Sequence, residues 1–119
     1  MPGPINGTAQ NWAKVVRTEG PVLVDFWAPW CGWCQRLAPG FDRLAAEFSG
    51  QVTFVKVNVD EEPLLAGQYG VQSLPTLKIF CGGELVQEFI GFLPEPALRR
   101  RINQALQEHA TCRVPVLNT

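Results

Sequence analysis

Val22-Leu-Val-Asp-Phe-Trp-Ala28 is an almost unbroken apolar, β-branched and aromatic run, the pattern of a strand covered on both faces by other elements. Val52 to Val59 reads as a second strand of this kind. Between them, from Cys31 to Phe48, Leu37, Phe41, Leu44, Ala45 and Phe48 recur at spacings of three and four, which predicts a helix with one apolar face. Pro39 inside it predicts a kink, because proline removes one helix hydrogen bond and crowds the preceding turn. Upstream, after an extended start near Pro4 to Asn6, Thr8 is expected to cap a helix whose Trp12, Val15 and Val16 share a face, with Gly20-Pro21 as its stop.

Downstream, Pro63 to Tyr69 reads as a short helix closed by Gly70, and Thr76–Phe80 and Glu84–Ile90 as antiparallel strands around a Cys81-Gly82-Gly83 turn. Residues 95 to 110 predict a closing helix with Leu98, Ile102, Ala105 and Leu106 as its apolar stripe. Its Arg99, Arg100 and Arg101 are expected on the solvated faces, and His109 near its end to complement the helix dipole. From Val22 onward the order is β-α-β-α-β-β-α with short connections. That order predicts an α/β fold with a central mixed sheet and helices on both faces, and chemistry beyond the carboxyl ends of the parallel strands.

A chain of 119 residues, 46% hydrophobic, suits one domain over 1–119. Eleven acidic against ten basic residues give a net charge of -1, with no basic stripe to bind nucleic acid. No apolar run approaches the roughly 20 residues of a membrane span. The first residues carry neither a positive charge nor an apolar stretch of the secretory kind, so a cytoplasmic location is expected.

In a reducing compartment a C-x-x-C pair is redox-active or metal-binding more often than structural. Cys31 follows the first strong strand and opens the next helix, where unpaired backbone N–H groups and the helix dipole favour a thiolate. Cys34, about one turn later, is placed to attack a mixed disulfide formed at Cys31. The pair therefore suits thiol-disulfide exchange with no bound cofactor. Zinc would need two more ligands, and Cys81 and Cys112 stand singly, 31 residues apart, so no metal site is expected.

Asp25 interrupts the apolar run Val22–Ala28, where an aspartate is costly. It is read as a buried acid of raised pKa that exchanges a proton with Cys34, against the alternative of a strand-end aspartate bonded to backbone. Lys56, in the neighbouring predicted strand, is placed to tune it. Pro75, before a strand, reads on its own as an ordinary trans proline.

These residues together resemble the thioredoxin family: Asp25-Phe-Trp-Ala-Pro-Trp-Cys31-Gly-Trp-Cys34, Pro39, Lys56-Val-Asn, Ser73-Leu-Pro75-Thr76 and Gly91. The similarity runs over about residues 4 to 110, with a short tail at 111–119. It implies a thioredoxin fold, with Cys31 as the exposed attacking thiol, Cys34 as the buried resolving thiol, Asp25 as proton acceptor and Lys56 beside it. It also implies a cis Pro75 against the disulfide and a Leu74 that offers its backbone to an extended substrate. Trp30, Gly32, Trp33, Leu74, Pro75, Gly91 and Phe92 would contact that substrate, with Trp27 in the core beneath.

The implied activity is protein disulfide reduction, taking electrons from thioredoxin reductase and passing them to disulfide-containing proteins. An exposed apolar docking face on a small domain fits a monomer that binds transiently. The alternatives are a disulfide oxidase or isomerase, and a non-enzymatic interaction module. Trp33 departs from the family's reductases, which usually carry proline there. Its added N–H is expected to favour the Cys31 thiolate and raise the reduction potential above the roughly -270 mV typical of thioredoxin. Cys81 and Cys112 fall outside the family's active pattern and are expected as free thiols, with a disulfide that clasps the tail as the alternative.

Overall fold

Side chains alternate across the strand over Val22–Trp27, and that alternation divides the core in two. Val22, Val24 and Phe26 pack on one face with Trp12, Val15, Val16, Val55, Val57 and Leu65. Leu23 packs on the other with Leu37, Phe41, Leu44, Leu98 and Ile102, and Asp25, two residues on, points the same way. The computed structural model describes residues 3–109 and Cys112. Its elements in chain order are β1 (Ile5–Asn6), α1 (Trp12–Val16), β2 (Val22–Trp27), α2 (Gly32–Glu47), β3 (Thr53–Asn58), α3 (Pro63–Gln68), β4 (Thr76–Cys81), β5 (Glu84–Ile90) and α4 (Glu95–Glu108).

The strands form one sheet of order β1-β3-β2-β4-β5. β3 runs parallel to both β1 and β2, while β4 is antiparallel to β2 and β5. α2 and α4 contribute to the core on one face of the sheet, α1 and α3 to the core on the other. This is the expected mixed α/β architecture. Among the described residues no helix is long and apolar enough to cross a membrane.

Local expectations differ from the structure at several points. Thr8 caps a turn rather than the helix: its N–H donates to Asn11 Oδ1 at 2.8 Å and Asn11 N–H donates back to Thr8 Oγ1 at 3.3 Å. α1 starts only after this reciprocal pair, at Trp12. Cys81 is the last residue of β4 rather than part of the turn, because Gly82 and Gly83, at φ 62° and 88°, supply the two positive angles a tight hairpin needs. The helix through Pro39 is as expected, with α2 running from Gly32 to Glu47 around it. The expected tail at 111–119 lies, Cys112 aside, outside the described residues, as does residue 110 of the closing helix.

The arginine triplet is partly engaged within the fold. Arg99 bridges Glu47 and Glu95, at 2.8 and 3.1 Å, and Arg101 lies over the Phe89 ring at 4.7 Å. Arg43 closes on Glu95 at 2.7 Å, so this network ties α2 to α4 at the surface.

Candidate active site

Cys31 ends the loop after β2 and is the N-cap of α2, with extended backbone angles of φ -87° and ψ 114°. Its carbonyl accepts the Gln35 N–H at 3.1 Å, and its Sγ accepts the Cys34 N–H at 3.1 Å. A sulfur thus stands where a serine or aspartate oxygen usually caps a helix, receiving one of the first-turn N–H groups that have no partner in the helix. Negative charge on that sulfur meets a donor and the positive end of a 16-residue helix.

Cys31 and Cys34 are joined as a disulfide, with Cα atoms 5.2 Å apart. The exposure expected of Cys31 is small in this oxidised form: it is 7% exposed, against 3% for Cys34. The cause is packing, since Trp27, Val59 and Leu74 close around Ala28 and the two cysteines. Trp27 is therefore half-buried beside the disulfide.

Around this centre the chain presents an apolar rim. Trp30 and Trp33 are 69% and 56% exposed, high values for the largest apolar side chains. Trp30 is held by its indole N–H, which donates to Asp60 Oδ2 at 2.9 Å. Trp33 tilts against Phe92, with ring centroids 5.6 Å apart, and the Arg36 guanidinium lies 5.3 Å from its ring centroid. Trp33, Leu74, Gly91 and Phe92 line a groove of about 280 Å³.

The Leu74–Pro75 peptide is cis, which corrects the trans form that Pro75 suggests by itself and agrees with the resemblance. Pro75 O accepts the N–H of Gly91 at 2.8 Å, where φ is 100°, so the ends of β4 and β5 are joined at the groove. Among the described residues, neither the N–H nor the C=O of Leu74 makes a backbone hydrogen bond. That leaves one donor and one acceptor beside the disulfide for an extended peptide.

Asp25 is 1% exposed and its Oδ1 has no hydrogen-bond partner among the described residues. Burial raises its pKa from 3.8 to about 7, opposed by the positive charge of Lys56 and assisted by the negative charge of Asp42. The alternative of an aspartate anchored through Oδ1 to backbone is not what this geometry provides.

Sequence reading missed Asp60 and Arg36. Asp60 lies just past β3, beside the end of β2 from which Trp30 follows, so the parallel pairing was the available signal. Arg36 stands three residues after Trp33, the spacing that brings two side chains onto one helix face. The free-thiol expectation for Cys81 and Cys112 is also corrected, in favour of the alternative: they form a disulfide with Cα atoms 4.8 Å apart, Cys81 at the end of β4 lying beside Cys112.

A family model described as Thioredoxin matches residues 4–104. The chain is 47% identical over 96 residues to Thioredoxin 1 of Nostoc sp., an alignment covering 81% of this chain and 86% of that protein. It is 48% identical over 88 residues to a thioredoxin of Streptomyces clavuligerus, covering 74% and 81%. To the chloroplastic thioredoxin M4 of Arabidopsis thaliana it is 46% identical over 104 residues, covering 87% of this chain and 54% of that one.

Proposed function

The chain belongs to the thioredoxin family, and from that footing we propose how this protein-disulfide oxidoreductase works and in which direction it runs. In its reduced form the Cys31 thiolate attacks one sulfur of a target disulfide. A bond forms between Cys31 Sγ and that sulfur, the target's S–S bond breaks, and one target thiolate leaves. Cys34 then gives its proton to the Asp25 carboxylate and attacks Cys31 Sγ. The mixed disulfide breaks, the second target sulfur leaves as a thiolate that takes a proton from water, and the Cys31–Cys34 disulfide forms. Two electrons have passed to the target, and thioredoxin reductase restores the dithiol.

The observation that carries this reading is the capping sulfur: Cys31 Sγ accepts a first-turn N–H and is joined to Cys34 one turn away. Asp25 is offered as the proton acceptor because burial holds its pKa near neutrality, where it can both take and release a proton. Lys56 acts on it as a charge. Trp30, Gly32, Trp33, Leu74, Pro75, Gly91 and Phe92 form the docking face, supported by the exposed indoles and the open Leu74 backbone. Contact of this kind is transient, which favours a monomer working in the cytoplasm, where a reductase keeps it supplied with electrons.

Trp33 favours a second reading, in which the pair runs toward oxidation or isomerisation. The two directions separate in one experiment: turnover of an oxidised model peptide coupled to thioredoxin reductase, with Cys31→Ser as control. The reductase reading expects turnover that Cys31→Ser abolishes. Transfer of the disulfide to a reduced peptide, without net reduction, selects the oxidase. Partner capture that survives Cys31→Ser without any turnover selects a binding module.

A further inference from the structure

Cys81 closes β4, and Cys112 follows the end of α4 by a few residues, with His109 as the C-cap of that helix. One sulfur from each cysteine and one ring nitrogen of His109 lie within 4.8 Å of one another. We propose that these three residues form a redox-gated zinc site: a disulfide in the oxidised protein, and a centre for one Zn²⁺ when the two cysteines are reduced.

The backbone holds the ligands in place independently of the S–S bond. Cys112 C=O accepts the Gly20 N–H at 2.8 Å, Cys112 N–H donates to His109 C=O at 3.2 Å, and His109 N–H donates to Ala105 C=O at 2.8 Å. Cys112 is buried at 2% exposure, while Cys81 and His109 are partly open to solvent, which gives an ion a way in. None of these three hydrogen bonds involves a sulfur, so opening the disulfide leaves Cys112 and His109 anchored, while Cys81 is held by its pairing with Glu84 in the β4–β5 ladder.

The donor set selects the metal. Two thiolates and one imidazole suit Zn²⁺, which takes sulfur at about 2.3 Å and nitrogen at about 2.0 Å in a tetrahedron. A tetrahedral pair of zinc-bound sulfurs stands about 3.8 Å apart on those bond lengths, a separation the sulfurs reach by side-chain rotation once the bond between them is gone. Glu108 Oε1 lies 4.0 Å from His109 Nε2, so a carboxylate is at hand for the ring nitrogen that does not bind the ion. The fourth position is left to water.

The electrons come from a dithiol. One of its thiolates attacks a sulfur of the Cys81–Cys112 disulfide, its second thiol resolves the mixed disulfide, and the dithiol leaves oxidised with Cys81 and Cys112 as two thiols. Zinc then binds with release of both thiol protons. Oxidation of the pair by a disulfide reverses the sequence and frees the ion.

The test uses the full chain with Cys31→Ser and Cys34→Ser, so that no other cysteines contribute. After reduction and removal of the reductant under anaerobic conditions, Zn²⁺ is titrated against a chromophoric chelator. The proposal expects one Zn²⁺ per reduced chain, none per oxidised chain, loss of binding with Cys112→Ser and affinity lowered at least about 10-fold with His109→Ala. Co²⁺ gives a second readout without the Cys112 variant: a thiolate-to-cobalt charge-transfer band in the reduced chain. No stoichiometric binding, an affinity that either substitution leaves unchanged, or a Co²⁺ complex without thiolate character overturns it.

Discussion

Asp25 and Lys56 face each other across the parallel ladder of β2 and β3, yet the ammonium of Lys56 lies 4.6 Å from the centre of the Trp27 ring. Among the described residues Asp25 Oδ1 is left without a hydrogen bond. The lysine therefore lowers the cost of a charge on Asp25 without cancelling it, and burial remains the larger influence, which is why the acid titrates near 7 instead of near 4.

Linkage turns this into a pH dependence of stability. Below pH about 4 Asp25 is protonated in folded and unfolded chains alike. Between about 4 and 7 the unfolded chain ionises while the folded one does not, so this residue's contribution falls as pH rises and levels off above 7. A shift of this size corresponds to on the order of 4 kcal/mol. Asp25→Asn is expected to be more stable than the parent at pH 8, with that advantage gone at pH 4, and its release of mixed disulfides is expected to slow. Urea unfolding of both oxidised proteins at the two pH values checks it; an equal difference at both would contradict the burial argument.

Trp33 is the position most able to set the potential. In the oxidised form the N–H that reaches Cys31 Sγ belongs to Cys34, so Trp33 contributes as one more first-turn donor at the helix N-terminus, a donor proline would lack. Trp33→Pro is expected to lower the reduction potential by a few tens of millivolts, each 30 mV being about 1.4 kcal/mol for a two-electron couple. Equilibration with a glutathione or dithiothreitol couple measures both proteins. A parent potential at or below about -270 mV, or no change on substitution, would assign Trp33 to substrate contact alone.

Lys78 gives a prediction away from the site. Its side chain is 3% exposed and its only ion-pair partner among the described residues is Glu88, directly across the β4–β5 ladder and 44% exposed. Glu88→Gln leaves a buried ammonium unpaired and is expected to cost about 1 to 3 kcal/mol, whereas Lys78→Met removes the charge and is expected to be close to neutral or stabilising. Denaturant unfolding ranks the two; a costlier Lys78→Met would show that the ammonium itself stabilises the fold.

The sequence was most informative where burial and chemistry constrain residue type together. The run Val22–Ala28 announced the central strand, and an aspartate inside it could be explained only by a special role or a special partner. Cys31 and Cys34 were legible because one turn of helix separates them. The pairing of Cys81 with Cys112 was legible only as the alternative to free thiols, since it depends on where β4 and α4 end relative to each other in space. Nor was the cis peptide before Pro75 readable from that residue by itself, because most X-Pro bonds are trans; the resemblance supplied it. Asp60 and Arg36 were missed because each acts through a tryptophan: a hydrogen bond to Trp30 and a guanidinium over Trp33.

The division of labour between the two active-site sulfurs is tested most directly by trapping. The Cys34→Ser protein, reduced and mixed with a peptide containing one disulfide, is expected to accumulate a one-to-one mixed disulfide through Cys31, identified by intact mass and peptide mapping, while Cys31→Ser accumulates none. Attachment through another cysteine, or peptide reduction by Cys31→Ser at the parent's rate, would contradict the assignment of Cys31 as the attacking thiol.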